Sequence, residues 1–339
     1  MSSNQSQIRA LYDQSKQLIY VDPIKSLQLA NEAVDLITPD LDPAFQVLVI
    51  YHQVEMITAY GRYHEALEIM HRILVIAETE NLEAERGQLL YYIGIAHYTT
   101  GDFATAIDYW SDCLNLENKG FSAATRINTY IALGQLYFAF HMHSDALRHH
   151  LSALKWVNDE IPTELYVRLL INLVADLCEL GQHEQALAYI TEAETLAKEI
   201  AHFEYLGEAL SYRTLILLEQ DRIEEVTQLL ERGHSMVRYW AWGEISWKIV
   251  TGKIQQAEQQ YHAAVESFEA ALELAHKYEC ASKIHVVHAV LARAYDQIND
   301  HLMAEKHHRL YQEHFNRLGS AEIFERLQQL ETQLENTFP

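Results

Sequence analysis

Apolar residues return every three or four positions through almost the whole chain, as at Leu169, Leu173, Val174, Leu177 and Leu180. That spacing draws a continuous stripe down one face of a helix, and neighbouring helices must cover it. No stretch alternates Val, Ile and Thr with polar residues for long enough to read as a strand. The pattern predicts first helices over Phe45 to Tyr60, Arg86 to Thr100, Arg126 to Phe140, Leu165 to Leu180, Tyr205 to Gln220, Ser246 to Glu258 and Lys283 to Ile298. Each is followed by a turn and a second helix.

The turns carry a period. Gly61-Arg62-Tyr63-His64-Glu65-Ala66, Gly101-Asp102-Phe103-Ala104-Thr105-Ala106 and Gly181-Gln182-His183-Glu184-Gln185-Ala186 set a glycine ahead of an aromatic or His and then a small residue. The small positions are Ser26, Ala66, Ala106, Ala146, Ala186, Val226, Ala264 and Ala304, spaced by 40 residues with one step of 38. Units of this length cannot bury their apolar face alone and so stack on their neighbours. The expected fold is all-α, an α-solenoid of about eight helix-turn-helix repeats over residues 1–318, rather than the two or three globular domains that 339 residues would suggest. Gly94, Gly134, Gly252 and Ala292 lie seven residues before the turn position, where a small side chain lets the paired helices approach closely. The short step falls between Asp221 and Gln259, a stretch that holds Tyr239, Trp240, Trp242 and Trp247. These rings either fill an irregular joint or open a groove.

Residues 319–339 break the period. Ser320 is placed to cap a helix from Ala321 to Glu335, in which Ile323, Leu327, Leu330 and Leu334 are spaced four, three and four. This seam fits a coiled-coil homodimer or output helix, and equally a capping helix over the apolar end of the stack.

Charge and composition narrow the partners. A formal charge of -23, with no local basic patch, disfavours nucleic acid and anionic membrane surfaces. Cys113, Cys178 and Cys280 are far apart in sequence, as suits a reducing compartment. The polar start lacks the apolar core of a secretory signal and no window is apolar enough to span a bilayer, so the expected setting is cytoplasmic. Among the 19 histidines, His141, His143, His149 and His150 cluster and His307-His308 form a pair. Adjacent helical residues diverge by about 100°, and no zinc-site spacing accompanies them, so no metal and no cofactor are expected. Phosphate loops, nucleophile elbows and H-E-x-x-H are absent from the sequence, and the chain is read as non-catalytic.

Leu133-Gly134-Gln135-Leu136-Tyr137, followed by Ala146 and Ala153, resembles the tetratricopeptide repeat, and Ile93-Gly94 with Trp110 and Leu291-Ala292-Arg293-Ala294-Tyr295 are partial copies. The likeness covers almost all of residues 5–318, although the units are about six residues longer than the usual ~34 and lack the closing Pro. It implies a right-handed solenoid of TPR-like units whose first helices line a concave groove. Longer units of this kind resemble sensor solenoids of bacterial signalling proteins, including peptide-pheromone receptors and modules joined to diguanylate cyclases or histidine kinases. The tail, with Tyr311 to Phe315 and Phe324 to Leu330, looks like the helix that precedes a GGDEF output domain.

Counting back from each turn, the resemblance places Tyr51, Glu55, Tyr91, Tyr98, Asn128, Gln135, Phe138, Arg168, Glu208, Lys253 and Arg293 on the groove. Tyrosine offers apolar area and a hydrogen bond with little rotamer entropy to lose, which suits an extended peptide or partner helix. Arg168, Lys253 and Arg293 would gather in the C-terminal half and favour an acidic ligand. The implied function is binding of a protein segment or peptide, as the regulatory part of a signalling protein such as a diguanylate cyclase. The alternatives are a scaffold that assembles a multiprotein complex and a peptide-pheromone-type receptor.

Overall fold

The computed structural model describes residues 3–115, 123–237 and 239–337, and all regular structure in them is helical. Eight antiparallel pairs follow one another: α1 (Ser3–Leu18) with α2 (Pro23–Asp35), α3 (Pro43–Ala59) with α4 (Tyr63–Thr79), α5 (Glu83–Thr100) with α6 (Phe103–Asn115), and α7 (Ala123–Ala139) with α8 (His143–Leu154). Then come α9 (Thr163–Glu179) with α10 (His183–Glu199), α11 (Phe203–Glu219) with α12 (Ile223–Met236), α13 (Ala241–Ala257) with α14 (Tyr261–Lys277), and α15 (Ala281–Gln297) with α16 (His301–Leu318). A last helix, α17 (Ala321–Thr337), stands outside the pairing. The chain is a TPR-like solenoid.

The periodic small residues explain the pairing. Each is the fourth residue of an even-numbered helix, and all eight are buried, seven of them at 0% exposure. The odd-numbered partner lies against that position. At Gly94 and Gly252 the approach is so close that an added Cβ would sit 2.3 Å from Trp110 Nε1 and 2.3 Å from Phe268 Cε1. Gly61, Gly101 and Gly181 take positive φ at the turns, and the Arg62 N–H returns to the Ile57 carbonyl at 3.2 Å. That arrangement satisfies a carbonyl at the helix end that has no intrahelical partner. His141, Asp221, Gln259 and Asn299 hold the same left-handed conformation in four of the other five repeats. Asp22, Asp42 and Asp300 cap α2, α3 and α16 by accepting from Lys25, Phe45 and Met303 N–H groups at 3.0, 2.9 and 3.1 Å.

The 38-residue step has a local cause. α12 is 14 residues long where α10 and α14 have 17, and one extra connecting residue recovers part of the difference. Trp247 fills the joint, fully buried, with its indole N–H donating to the Gly207 carbonyl at 3.2 Å. Trp242 instead meets Lys283, whose Nζ lies 3.9 Å from its ring centroid.

From α5 onward the odd-numbered helices pack on one another from repeat to repeat and so form the inner layer, with the even-numbered helices outside. The superhelix then curls far enough for distant repeats to meet. Tyr63 faces Cys280 with 3.8 Å between hydroxyl and Sγ, and His64 Nε2 lies 3.3 Å from a Glu279 carboxylate oxygen. Tyr20, between α1 and α2, packs edge-on against Phe203 with 5.1 Å between ring centroids.

α17 departs from the expected end cap. It lies principally on α6, and its seam residues Ile323, Leu327, Leu330 and Leu334 are 8, 0, 0 and 1% exposed. They share a core with Phe103, Ile107 and Trp110 of α6, Leu136 of α7 and Phe140 in the turn after it. The physical reason is local: α6 and α7 meet over only a short stretch, and the seam of α17 buries the apolar surface between them. As folded, the seam is spent within the chain, so a coiled coil through it requires α17 to leave this seat. None of the described helices is long and apolar enough to cross a membrane.

Candidate functional site

Four of the residues placed on the groove by sequence form one patch across α3, α5, α7 and α9. Tyr51 leans on Tyr92, with ring centroids 5.2 Å apart, and Tyr92 packs edge-on against Tyr91. The Arg168 guanidinium lies 5.1 Å from the centroid of the Tyr91 ring and donates to Asn128 Oδ1. Arg168 thus ties three inner helices together. Tyr91 Oη, Arg168 Nε and Gln135 Oε1 are nevertheless buried without a hydrogen-bond partner in the protein. Leaving such groups unpaired costs about 1–3 kcal/mol each.

Carboxylates crowd the next part of the wall. Glu55 lies one turn beyond Tyr51, Glu164 one turn before Arg168, and Glu204 one turn before Glu208, so each pair shares a helix face. Superhelical advance brings Glu55 near the first turns of α9 and α11. Burial pushes the Glu204 carboxyl up to about 8, reinforced by Glu55, Glu164 and Glu208. Burial raises Glu208 to about 7 against the pull of Lys283, and lowers Lys283 to about 8 against the pull of Glu208. Glu164 is also raised, by burial and then by Glu55, although its side chain keeps 52% exposure. His202, stacked on Tyr205 at 3.9 Å, is held down to about 4 by burial.

The remaining sequence candidates lie elsewhere. Tyr98 packs on Phe103 and Trp110 at centroid distances of 5.2 and 6.4 Å, and Phe138 on His143 at 4.9 Å, all near the turns. Lys253 and Arg293 sit six residues before their turn positions, whereas Arg168 and Glu208 sit thirteen before theirs. At 1.5 Å per residue the two levels are about 10 Å apart along the helices. The basic half expected from Arg168, Lys253 and Arg293 is therefore not assembled, and the wall around Arg168 is mainly acidic. Glu164, Glu204, Tyr92, Tyr205 and Lys283 went unnoticed in the sequence. For the two glutamates the signal was available, since each lies four residues before a residue already placed on the groove.

The histidine clusters serve packing. His150 Nδ1 meets Asp176 Oδ2 at 2.5 Å in the core, and His149 stacks on Tyr137 at 5.0 Å. Among the described residues no group of three or more His, Cys, Asp or Glu is arranged to hold a metal ion.

No protein family model matches the chain. One stretch of 103 residues is 29% identical to the photosystem I assembly protein Ycf3 of Rippkaea orientalis (strain PCC 8801 / RF-1), covering 30% of this chain and 58% of that protein. Among solved structures, a Rap protein complexed with competence and sporulation factor superposes with a TM-score of 0.61 at 14% identity, over 98% of this chain and 99% of the Rap chain. The apo form of the quorum sensor NprR from B. thuringiensis superposes with a TM-score of 0.52 at 16% identity, over 93% of this chain and 89% of its own. At these identities the likeness is one of fold. The chain is a TPR-like helical repeat protein whose architecture resembles that of the Rap and NprR solenoids.

Proposed function

We propose that the chain is a regulatory, non-catalytic binding module that takes an extended peptide or protein segment along its inner wall. The observation that carries this reading is the crowding of the Glu55, Glu164, Glu204 and Glu208 carboxylates beside the patch of Tyr51, Tyr92, Tyr91 and Arg168. Tyrosine faces supply apolar contact, and the acids favour a ligand with at least one Lys or Arg side chain. Similarity in fold to a Rap protein crystallised with competence and sporulation factor, and to a quorum sensor, supports a receptor-type role over the diguanylate cyclase-linked sensor that the tail suggests. Action in the cytoplasm is part of the same reading.

The scaffold alternative makes no use of the inner wall, and this separates the two. The test is to screen the full chain against a fixed library of synthetic hexapeptides and to repeat the screen with Tyr91→Phe and with Glu204→Gln/Glu208→Gln. Selection of basic peptides by the wild type, weakened in both variants, supports the proposal. Peptides bound equally by all three chains would move binding off the wall and contradict it.

A further inference from the structure

The curl of the superhelix brings the C-terminal repeat back onto the turns of much earlier ones. An added Cβ at Gly61 would lie 2.8 Å from Tyr278 Cβ, and one at Gly101 2.9 Å from Ala281 Cβ, so the two edges meet there without a gap. Farther along, the same closure is built of imidazoles. His141, in the turn between α7 and α8, lies 6.4 Å from His285 of α15 and 5.3 Å from Phe315 of α16 between ring centroids, and the Tyr311 hydroxyl of α16 is 3.3 Å from His141 Nε2. His143 packs edge-on against His141 at 5.6 Å. Behind them His288 Nδ1 meets His307 Nδ1 at 3.0 Å, and the His314 ring lies 5.7 Å from that of His288.

This cluster is poorly arranged to hold positive charge. His285, His288 and His307 are buried, and Nδ1 of His143 and of His285 has no hydrogen-bond partner, so a proton there would sit without an acceptor. The His288–His307 contact already uses one N–H, and protonating both rings would set two donors against each other. Neighbouring charges are mostly of the wrong sign. His285 faces His141, His314, Lys283 and His288; His288 faces His307, His314, His276 and Lys306. His141 faces His143 and Arg293 against Glu179, His307 faces Lys306 against Glu269, and His314 faces Arg317 and His276 against Glu313. Burial, reinforced by these cations, holds His285 down to about 3 and His288 to about 4.

Closure therefore requires neutral rings. Rings that are parted and wet take up a proton at the ordinary value of about 6.5, so below it the closed chain binds fewer protons than the parted one. Closure weakens as pH falls from about 6.5 toward the lowered values, by roughly tenfold per pH unit for each histidine kept from protonation, and is unaffected above. One contact runs the other way: His64 Nε2, 3.3 Å from Glu279, gains attraction on protonation, but with side chains 67 and 57% exposed that pair contributes little. We propose that this closure is an acid-sensitive latch, in which protonation of His285, backed by His288 and His307, parts α15 and α16 from the α7–α8 turn while the helices stay folded. α17, joined to α16 through Gly319 and Ser320 and seated on α6, keeps the C-terminal end attached when the latch parts. The latch stands or falls independently of the ligand wall.

The test is hydrogen–deuterium exchange with mass spectrometry on the full chain at pH 7.5 and 5.5, with exchange times scaled for the intrinsic rate at each pH. In the wild type, protection over residues 140–146, 281–290 and 301–315 is expected to fall at least tenfold at pH 5.5, while α9 keeps its protection and far-UV helicity is unchanged. His285→Gln and His285→Met both remove the titrating ring, one keeping a polar group and the other an apolar volume, and each is expected to abolish most of the fall. Equal wild-type protection at the two pH values, or a loss spread evenly over all repeats, would overturn the proposal, as would the same fall in either folded variant. Should both substitutions open the closure already at pH 7.5, the wild type decides through a third point at pH 6.5: protection near the pH 7.5 value supports the latch, and a loss as large as at pH 5.5 overturns it.

Discussion

The inner wall and the seat of α17 adjoin one another through the hydrophobic cluster that Tyr91 shares with the α17 seam, yet they treat polar groups in opposite ways. On the outer side Glu331 collects Tyr137 and Arg148, Arg326 collects Asp108, and the seam is buried nearly to completion. On the inner side Tyr91 is buried with its hydroxyl unpaired, and carboxylates stand together with raised pKa values. A surface optimised for stability does not leave such groups together. The contrast teaches that the concave side is built to receive something, while the seat of α17 already holds a helix.

If the comparison is right, its two sides respond to different substitutions. The largest effect belongs to the seat of α17: Leu330→Ala removes a fully buried side chain and should cost about 2–5 kcal/mol in urea unfolding, with little change in peptide selection at the wall. Next is Tyr91→Phe, which keeps the ring and removes only the unpaired hydroxyl. It should leave the melting temperature within a degree or two of wild type, yet weaken a library-selected basic peptide by roughly tenfold in calorimetry, the worth of one hydrogen bond. A matching loss of stability would mean that the hydroxyl is structural.

The pH response follows from Glu204. Folded chain keeps a proton on this carboxyl up to about pH 8, whereas unfolded chain releases it near the ordinary value of about 4.3. Folded chain therefore binds more protons across that window, so this group makes stability fall as pH rises from about 4.3 to 8 and level off above. Glu204→Gln should raise the melting temperature at pH 8.5 and leave it unchanged at pH 4. Affinity for a basic peptide should move the other way in the wild type, increasing from pH 6 to 9 as Glu208 and Glu204 ionise. The smallest effect is Arg326→Ala at an outer ion pair, a slight loss of stability that salt reduces further.

Much of the fold was legible because each repeat contacts its neighbours and must repeat the same solutions. The eight small residues, the turn glycines and the tight Gly94–Trp110 approach all follow from spacing within a single unit. The closure was not legible, since the Tyr63–Cys280 contact joins residues 217 apart and depends on superhelical curvature that accumulates over several repeats. The destination of α17 was hidden for the same reason: its 4-3-4 seam states that a partner surface exists and is silent on which one. At the wall, periodic counting reached Tyr51, Tyr91, Asn128 and Arg168, which do come together. It missed the acidic character because the company of Glu55, Glu164 and Glu204 is set by the curl of the whole stack, and it placed Lys253 and Arg293 without regard to their level along the helix axis.

The central claim is that the acidic, tyrosine-lined inner wall is where a ligand is held. Its most direct test is calorimetric titration of the tightest library-selected basic peptide into the wild type and into Glu204→Gln/Glu208→Gln at pH 8.5, where Glu208 is largely ionised and Glu204 mostly so. The account predicts an affinity loss of tenfold or more in the double variant, with the melting temperature unchanged or raised. Equal affinity in the two chains would contradict it.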